Sequence, residues 1–235
     1  MILGDVDIVY MVKDAVYNDE LRYSLRSVEE NFPYKQVWFI GGKPMYAHPD
    51  QQIIVNQKGG TKWDRVRAML RMVAENDKIT EDFVLFNDDF FILQPLAGLP
   101  SFSYGSLRQL CKRVEKKNGD RPTPYTKSLE RTIKALEDNG LPTHNFELHV
   151  PIILNRKKLL SIIEQYPDVK GTRSLYGNTF LTKEMYYLKD VKIFDMDSLP
   201  SYGQAFLSTE DKSFARGKVG EFIRDRFPNK SRWER

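Results

Sequence analysis

Phe83-Val84-Leu85-Phe86-Asn87-Asp88-Asp89 is the stretch on which the fold of this chain turns. Four consecutive apolar residues are too few for a helix and suit a strand covered on both faces. Such strands belong to mostly parallel sheets with helices on either side, in which ligands gather at the carboxyl ends of the strands. The run ends there on an asparagine and two adjacent acids. Two carboxylates leaving an apolar strand repel each other and are costly to desolvate unless a cation neutralises them. Magnesium or manganese suits the pair, because hard divalent ions take oxygen ligands, often one or two carboxylates completed by substrate phosphates. Asp88 and Asp89 are therefore the candidate metal ligands; capping a helix or a turn is the plainer use of the same residues.

Outward from this stretch, strands and helices alternate. Val6 to Val12 reads as a buried strand. Asn18 or Asp19 caps a helix to Asn31, with Leu21, Leu25, Val28 and Phe32 on one face and Pro33 as its stop. Gln36 to Ile40 reads as a strand broken by Gly41-Gly42, and Ile53 to Val55 as a brief one. Thr61 caps a helix whose inward stripe is Trp63, Val66, Leu70 and Val73. Beyond Pro95 the spacing predicts helices over Ser106 to Lys117 and Ser128 to Asn139, the latter closed by Gly140. Phe146 to Leu154 reads as extended, Asn155 as the cap of a helix to Tyr166, Tyr187 to Phe194 as an alternating strand, and Asp211 to Arg226 as one closing helix.

With 41% hydrophobic and 29% charged residues, the chain has ordinary globular composition, and 235 residues can bury a core without staples. Cys111 is the only cysteine, so no internal disulfide exists, and the thiol reads as a bystander. One cysteine without an export signal predicts a cytoplasmic protein, and no apolar run reaches membrane-spanning length. The net charge of +4 fits an anionic small substrate, a nucleic acid or an anionic membrane surface without choosing among them. Basic residues concentrate between Arg108 and Arg131 and between Arg216 and Arg235. These read as solvated helix faces or, with Tyr104, Tyr125 and Trp233 as stacking surfaces, as a nucleic-acid or glycan-binding module.

Zinc spacings, a Gly-x-Ser-x-Gly elbow and a P-loop are all missing from the sequence. His149, within Glu147-Leu148-His149-Val150-Pro151, is either a core histidine or a general base for an acceptor hydroxyl. Arg173 follows Gly171-Thr172, where a guanidinium is either exposed at the surface or placed to grip phosphate through two parallel bonds.

Several segments taken together resemble the Stealth family of sugar-phosphate transferases. Val6-Asp7-Ile8-Val9-Tyr10 followed by Val12-Lys13-Asp14 resembles its opening strand. Asn18-Asp19-Glu20-Leu21-Arg22-Tyr23-Ser24-Leu25-Arg26-Ser27-Val28-Glu29 is similar to its second region nearly residue for residue, and Phe83 to Phe91 to the end of that region. His149 with Pro151, then Arg173-Ser174, resemble a third region, and Phe227-Pro228 through Ser231 to Glu234 the closing signature. The resemblance implies a nucleotide-sugar-transferase-like α/β fold (GT-A or Rossmann-like), mostly parallel, with helices on both faces and a helical insertion. One catalytic domain is expected over 1–235: a nucleotide-binding half at 1–95, a helical insertion or lid at 96–145, and an acceptor and phosphate half at 146–235.

The implied activity is transfer of sugar-1-phosphate from a nucleotide-sugar donor to a hydroxyl of a glycan or other polymer, with Mg2+ or Mn2+. Asp88 and Asp89 would hold metal and diphosphate, His149 would serve the acceptor or phosphate, Arg173 would bind phosphate, and Asp14 would lie near the nucleotide. Arg22, Lys62 and Arg65 complete the candidate donor-binding residues. Lys62, Asp64 and Arg65 stand where the family carries a Phe-Asn-Ser-His-Ala-Ile-Glu-like run. Whole-sugar transfer, onto an anionic polymer such as DNA or onto a cell-wall glycan, therefore stays open beside sugar-phosphate transfer.

Overall fold

The computed structural model describes residues 3–235. Its centre is a five-stranded sheet ordered β3-β2-β1-β4-β7, from β1 (Asp7–Val12), β2 (Val37–Gly41), β3 (Gln51–Ile54), β4 (Asp82–Asn87) and β7 (Ile152–Asn155). The first four are mutually parallel, and β7 closes the edge antiparallel to β4. Every residue of β1 is buried, because alternate side chains enter cores on opposite faces. Val9 and Met11 join Trp38, Ile40, Phe83 and Leu85 in one core. Ile8, Tyr10 and Val12 join Phe39, Val84 and Phe86 in the other.

Helices cover both faces. The stripe Leu21, Leu25 and Val28 of α1 (Asp19–Asn31) fills the second core. The first core takes Met69, Leu70 and Val73 of α2 (Lys62–Glu75), together with α3 (Leu107–Lys117), α4 (Pro124–Asp138), α5 (Arg156–Gln165) and α6 (Thr172–Phe180). The helical segment expected as an insertion or lid thus packs into the core through Leu107, Cys111, Leu129, Ile133 and Leu136. Burial pushes the Cys111 thiol up, which leaves it a poor nucleophile. Among the described residues, no helix is long and apolar enough to cross a membrane.

The caps fall where the sequence places them. Asn18 accepts from the Leu21 N–H, and Thr61 and Asp64 form a capping box on α2. Gly41 has φ of +119°, and a Cβ there would lie 2.3 Å from the Val12 carbonyl oxygen, so β1 and β2 part at the rim only with glycine at that position. The second half departs from expectation. The stretch Tyr187 to Phe194 is two short strands, β8 (Met185–Tyr187) and β9 (Lys192–Ile193), split by a loop. The expected closing helix is two, α7 (Asp211–Arg216) and α8 (Lys218–Arg226), broken at Gly217, where a Cβ would lie 2.6 Å from the Ser213 carbonyl oxygen.

Three further strands, β5 (Phe90–Ile92), β6 (Ser101–Ser103) and β10 (Phe206–Thr209), build two small sheets, β5-β10-β9 and β6-β8.

The C-terminal signature is a clasp. Trp233 is buried, with its indole N–H donated to Asp50, and Glu234 accepts from Arg26 through Nε at 2.7 Å and a second guanidinium nitrogen at 2.8 Å. Arg26 also donates to the carbonyls of Phe227 and Pro228, so α1 grips the tail at three points. Burial works to raise the Glu234 carboxyl, but the bonds from Arg26 and Ser231 prevail and hold it below the usual range. The stabilisation is therefore present at neutral pH and fades as pH falls through that lowered value. Glu234→Ala should cost about 3 kcal/mol, the usual scale for breaking a buried pair, read as a lowered urea midpoint at pH 7.

Candidate active site

A cleft of about 740 Å³ opens at the carboxyl rim of β1 and β4. Register creates it: Met11 lies level with Asn87, so the loop after β1 and the acidic pair after β4 leave the sheet side by side. Lys13 and Tyr17 come from that loop, Lys62 and Arg65 from the start of α2, and Asp88, Asp89, His149 and Lys192 line the cleft too.

Asp88 and Asp89 are held differently. Asn18 uses its oxygen to cap α1 and its amide nitrogen to donate to Asp88 Oδ2 at 2.7 Å. Asp88 thereby sits beside the amino end of a helix, which favours anions. Burial first, and the charge of Asp89 second, nevertheless raise its carboxyl above the ordinary range. Asp89 leads directly into β5, whose pairing sets Phe90 opposite Ser208 of β10, and Ser208 in turn opposite Lys192 of β9. That row delivers Lys192 Nζ at 2.7 Å and Ser208 Oγ at 3.1 Å to Asp89 Oδ2. Asp89 Oδ1 is buried without a partner among the described residues. Glu20, hydrogen-bonded by Thr209 at 2.6 Å, also lines the cleft, and its carboxyl is pushed up to about 8 by burial and by Asp89 and Asp88.

This donor set fits a hard divalent cation. An orphaned carboxylate oxygen, a second desolvated carboxylate and all-oxygen chemistry are what magnesium or manganese takes. The described residues contain no cluster of three or more acidic, histidine or cysteine ligands, so the two aspartates are the only protein groups assigned to such an ion, on the strength of the orphaned oxygen alone.

His149 lies in the cleft with one third of its side chain exposed. Its Nδ1 is 2.9 Å from Asp190 Oδ2, and its backbone N–H donates to Asp190 Oδ1 at 3.0 Å. Burial works to raise the Asp190 carboxyl, and the hydrogen bonds and charge of His149 pull it below its usual value instead. A carboxylate on Nδ1 fixes the ring and reserves Nε2 for chemistry. Neither the Asp190 partner nor the Lys192 and Ser208 contacts were expected from sequence.

The other candidates divide. Lys62 and Arg65 line the cleft, Arg65 with its guanidinium on the Gly59 and Gly60 carbonyls. Asp14, although next to Lys13, is exposed and is not among the cleft-lining side chains. Arg22 lies elsewhere, paired with Asp19 at 3.1 Å and stacked 4.2 Å over the Tyr46 ring. Its second ion pair belongs to the tail clasp, since Glu234 is 3.6 Å away.

Arg173 does not line the cleft: it donates to the carbonyls of Phe146 and Val150 and so braces the segment bearing His149. Burial lowers its guanidinium, with Glu147 and Asp190 opposing. Arg173→Lys should lower kcat about 10-fold, on the scale of an outer-shell contact, with donor KM unchanged; a raised KM instead would return Arg173 to phosphate binding.

The basic segments are partly spent in ion pairs, Arg108 with Glu137, Arg226 with Glu30 and Arg232 with Asp50. Trp233 is buried and Tyr125 partly so, which removes two of the three stacking surfaces that a nucleic-acid interface would need.

No protein-family model matches the chain. It is 22% identical over 268 residues to an exopolysaccharide phosphotransferase of Nocardia farcinica, covering 92% of this chain and 53% of that protein. It is 25% identical over 170 residues to an exopolysaccharide phosphotransferase of Streptomyces coelicolor, covering 65% of this chain and 29% of that one. The chain thus spans about half or less of the curated relatives it matches. Among solved structures it is similar to the galactosyltransferase LgtC, at 15% identity and a TM-score of 0.44 over 80% of this chain and 76% of that one. It is also similar to the glycosyltransferase GlyE of Streptococcus pneumoniae, at 9% identity and a TM-score of 0.36 over 78% of this chain and 45% of that one. Likenesses this loose carry no argument about the site. At the level of sequence the chain is thus similar, at low identity, to exopolysaccharide phosphotransferases of the Stealth family.

Proposed function

We propose that this chain carries the catalytic centre of a nucleotide-sugar transferase that moves sugar-1-phosphate to a hydroxyl of a glycan. The observation that carries the reading is the acidic pair at the sheet rim, with Asp89 Oδ1 unpartnered, sharing one cleft with an Asp190-oriented His149 and the cations Lys62 and Arg65. The names of both curated relatives support it.

Asp88 and Asp89 would hold a divalent ion, which, when bound, neutralises charge growing on the diphosphate. The residues of the chain account for the rest. Nε2 of His149 takes the proton of the acceptor hydroxyl, whose oxygen attacks the β-phosphorus of the donor. The bond from that phosphorus to the bridging oxygen breaks, and nucleoside monophosphate leaves with the electron pair. Asp190 keeps the proton on Nδ1 beforehand and stabilises the imidazolium that forms. Lys62 and Arg65, with Lys13 at the mouth, supply positive charge for the phosphates.

The test is to incubate the chain with a panel of nucleotide sugars and Mn2+ and to identify the nucleotide released. Nucleoside monophosphate is expected. Nucleoside diphosphate would mean attack at the anomeric carbon and whole-sugar transfer, and no release from any donor would remove the reading.

A further inference from the structure

The segment that supplies Lys192 to the cleft and Asp190 to His149 also carries exposed aromatic rings. On β8, Tyr186 and Tyr187 are 63% and 74% exposed, and after β9 Phe194 is 54% exposed. Monomeric surfaces scatter such residues singly; several on one short segment mark a contact surface. Beside Tyr186 and Tyr187 lies a hollow of about 380 Å³ that also takes Gln109 and His144, side chains able to bond hydroxyls.

The rings are braced by cations. Tyr104 meets Tyr187 edge-on with centroids 5.1 Å apart, and the Arg113 guanidinium lies 5.0 Å over Tyr104. Lys117 Nζ is 5.1 Å from the centre of the Phe194 ring. Phe194 also leads back to the cleft: Lys192 Nζ lies 5.9 Å from its ring centre and 2.7 Å from Asp89.

We propose that this surface is the acceptor-chain subsite and that its occupant is an anionic glycan bearing phosphodiesters. The proposal rests on the function given above. Attaching sugar-1-phosphate to a glycan hydroxyl leaves a phosphodiester in the product, so a product used again as acceptor carries alternating sugar rings and negative charges. Aromatic faces suit the apolar face of a sugar ring, and Arg113 and Lys117 beside them suit the phosphates. A bare apolar surface for another protein would need neither cation, and a neutral glycan would need only the rings.

The experiment reads binding alone, without donor or metal, so it stands or falls apart from the reaction. The whole chain is titrated with an oligosaccharide of six phosphodiester-linked hexose repeats, and with uncharged dextran of equal length. The charged oligosaccharide should bind at least 10-fold more tightly than dextran. Tyr186→Ala combined with Tyr187→Ala should weaken it at least 10-fold, and Arg113→Gln combined with Lys117→Gln should flatten its salt dependence. All four residues are solvent-facing, and an unchanged circular dichroism spectrum verifies folding. Equal binding of dextran, unaltered affinity in the tyrosine pair, or a dimer in sedimentation that the tyrosine pair dissolves would each overturn the proposal.

Discussion

Asp89→Ala should abolish donor turnover to within assay background, a loss of roughly three orders of magnitude, on the several-kcal/mol scale of metal and electrostatic stabilisation. Asp89 is asked for two things at once. Its Oδ2 anchors Lys192 and Ser208, and its Oδ1 is the buried oxygen without a partner. Removing the carboxylate deletes a candidate ligand and also leaves Lys192, 15% exposed, beside the cleft without its counter-ion. Asp88→Ala removes the other carboxylate while leaving Lys192 paired, so it isolates the ligand role. Binding of Mn2+, followed by calorimetry with and without nucleotide, separates the two effects. Both variants should lose Mn2+ binding, while only Asp89→Ala should tighten binding of the nucleotide alone, because a released ammonium attracts phosphate. Turnover and Mn2+ affinity that survive in both variants would refute the assignment of the pair as metal ligands.

Asp88, Asp89 and His149 were legible in the sequence because each sits in a local signal: two acids at the end of an apolar strand, a histidine in an apolar run. The caps at Asn18 and Thr61 were legible for the same reason, since a cap and its helix lie within one turn. What the residues could not disclose is held by distant pairing. Asp190 lies 41 residues from His149, Lys192 lies 103 from Asp89, and Ser208 lies 119 from Asp89. The strands of Lys192 and Ser208 are two and four residues long, too short for alternation to register, and Asp190 lies in the loop between β8 and β9. Helix α6 was hidden differently: its buried face includes Thr172, Ser174 and Asn178, so no apolar stripe announces it. Neither sequence reading of Arg173, an exposed arginine or a phosphate grip, includes that helix, which turns its guanidinium onto two backbone carbonyls.

The second large effect belongs to the histidine. His149→Ala should lower kcat by about 10²- to 10³-fold, within the range a general base supplies, and leave donor KM within about 2-fold, since chemistry and not donor binding is removed. Asp190→Asn gives the sharper test. The substitution preserves size but offers Nδ1 either a donor or a weaker acceptor, so the ring loses the carboxylate that fixes its tautomer. A fall of about 10- to 100-fold, as for other groups that orient a reacting residue, is expected together with an altered pH profile. The carboxyl of Asp190 lies below its ordinary range because it faces His149. In the native chain the ion–dipole pairing therefore persists as pH falls to that lowered value, and the asparagine variant removes this influence at every pH. The acid limb of kcat/KM should accordingly be altered in Asp190→Asn, because that variant lacks the carboxylate whose protonation, at its lowered value, ends the contact with Nδ1. A structural role for Asp190 would lower activity by the same factor at all pH values and leave the limb in place. An unchanged kcat in His149→Ala would return that residue to the part of a buried-loop histidine and transfer the burden of proton removal to another group in the cleft.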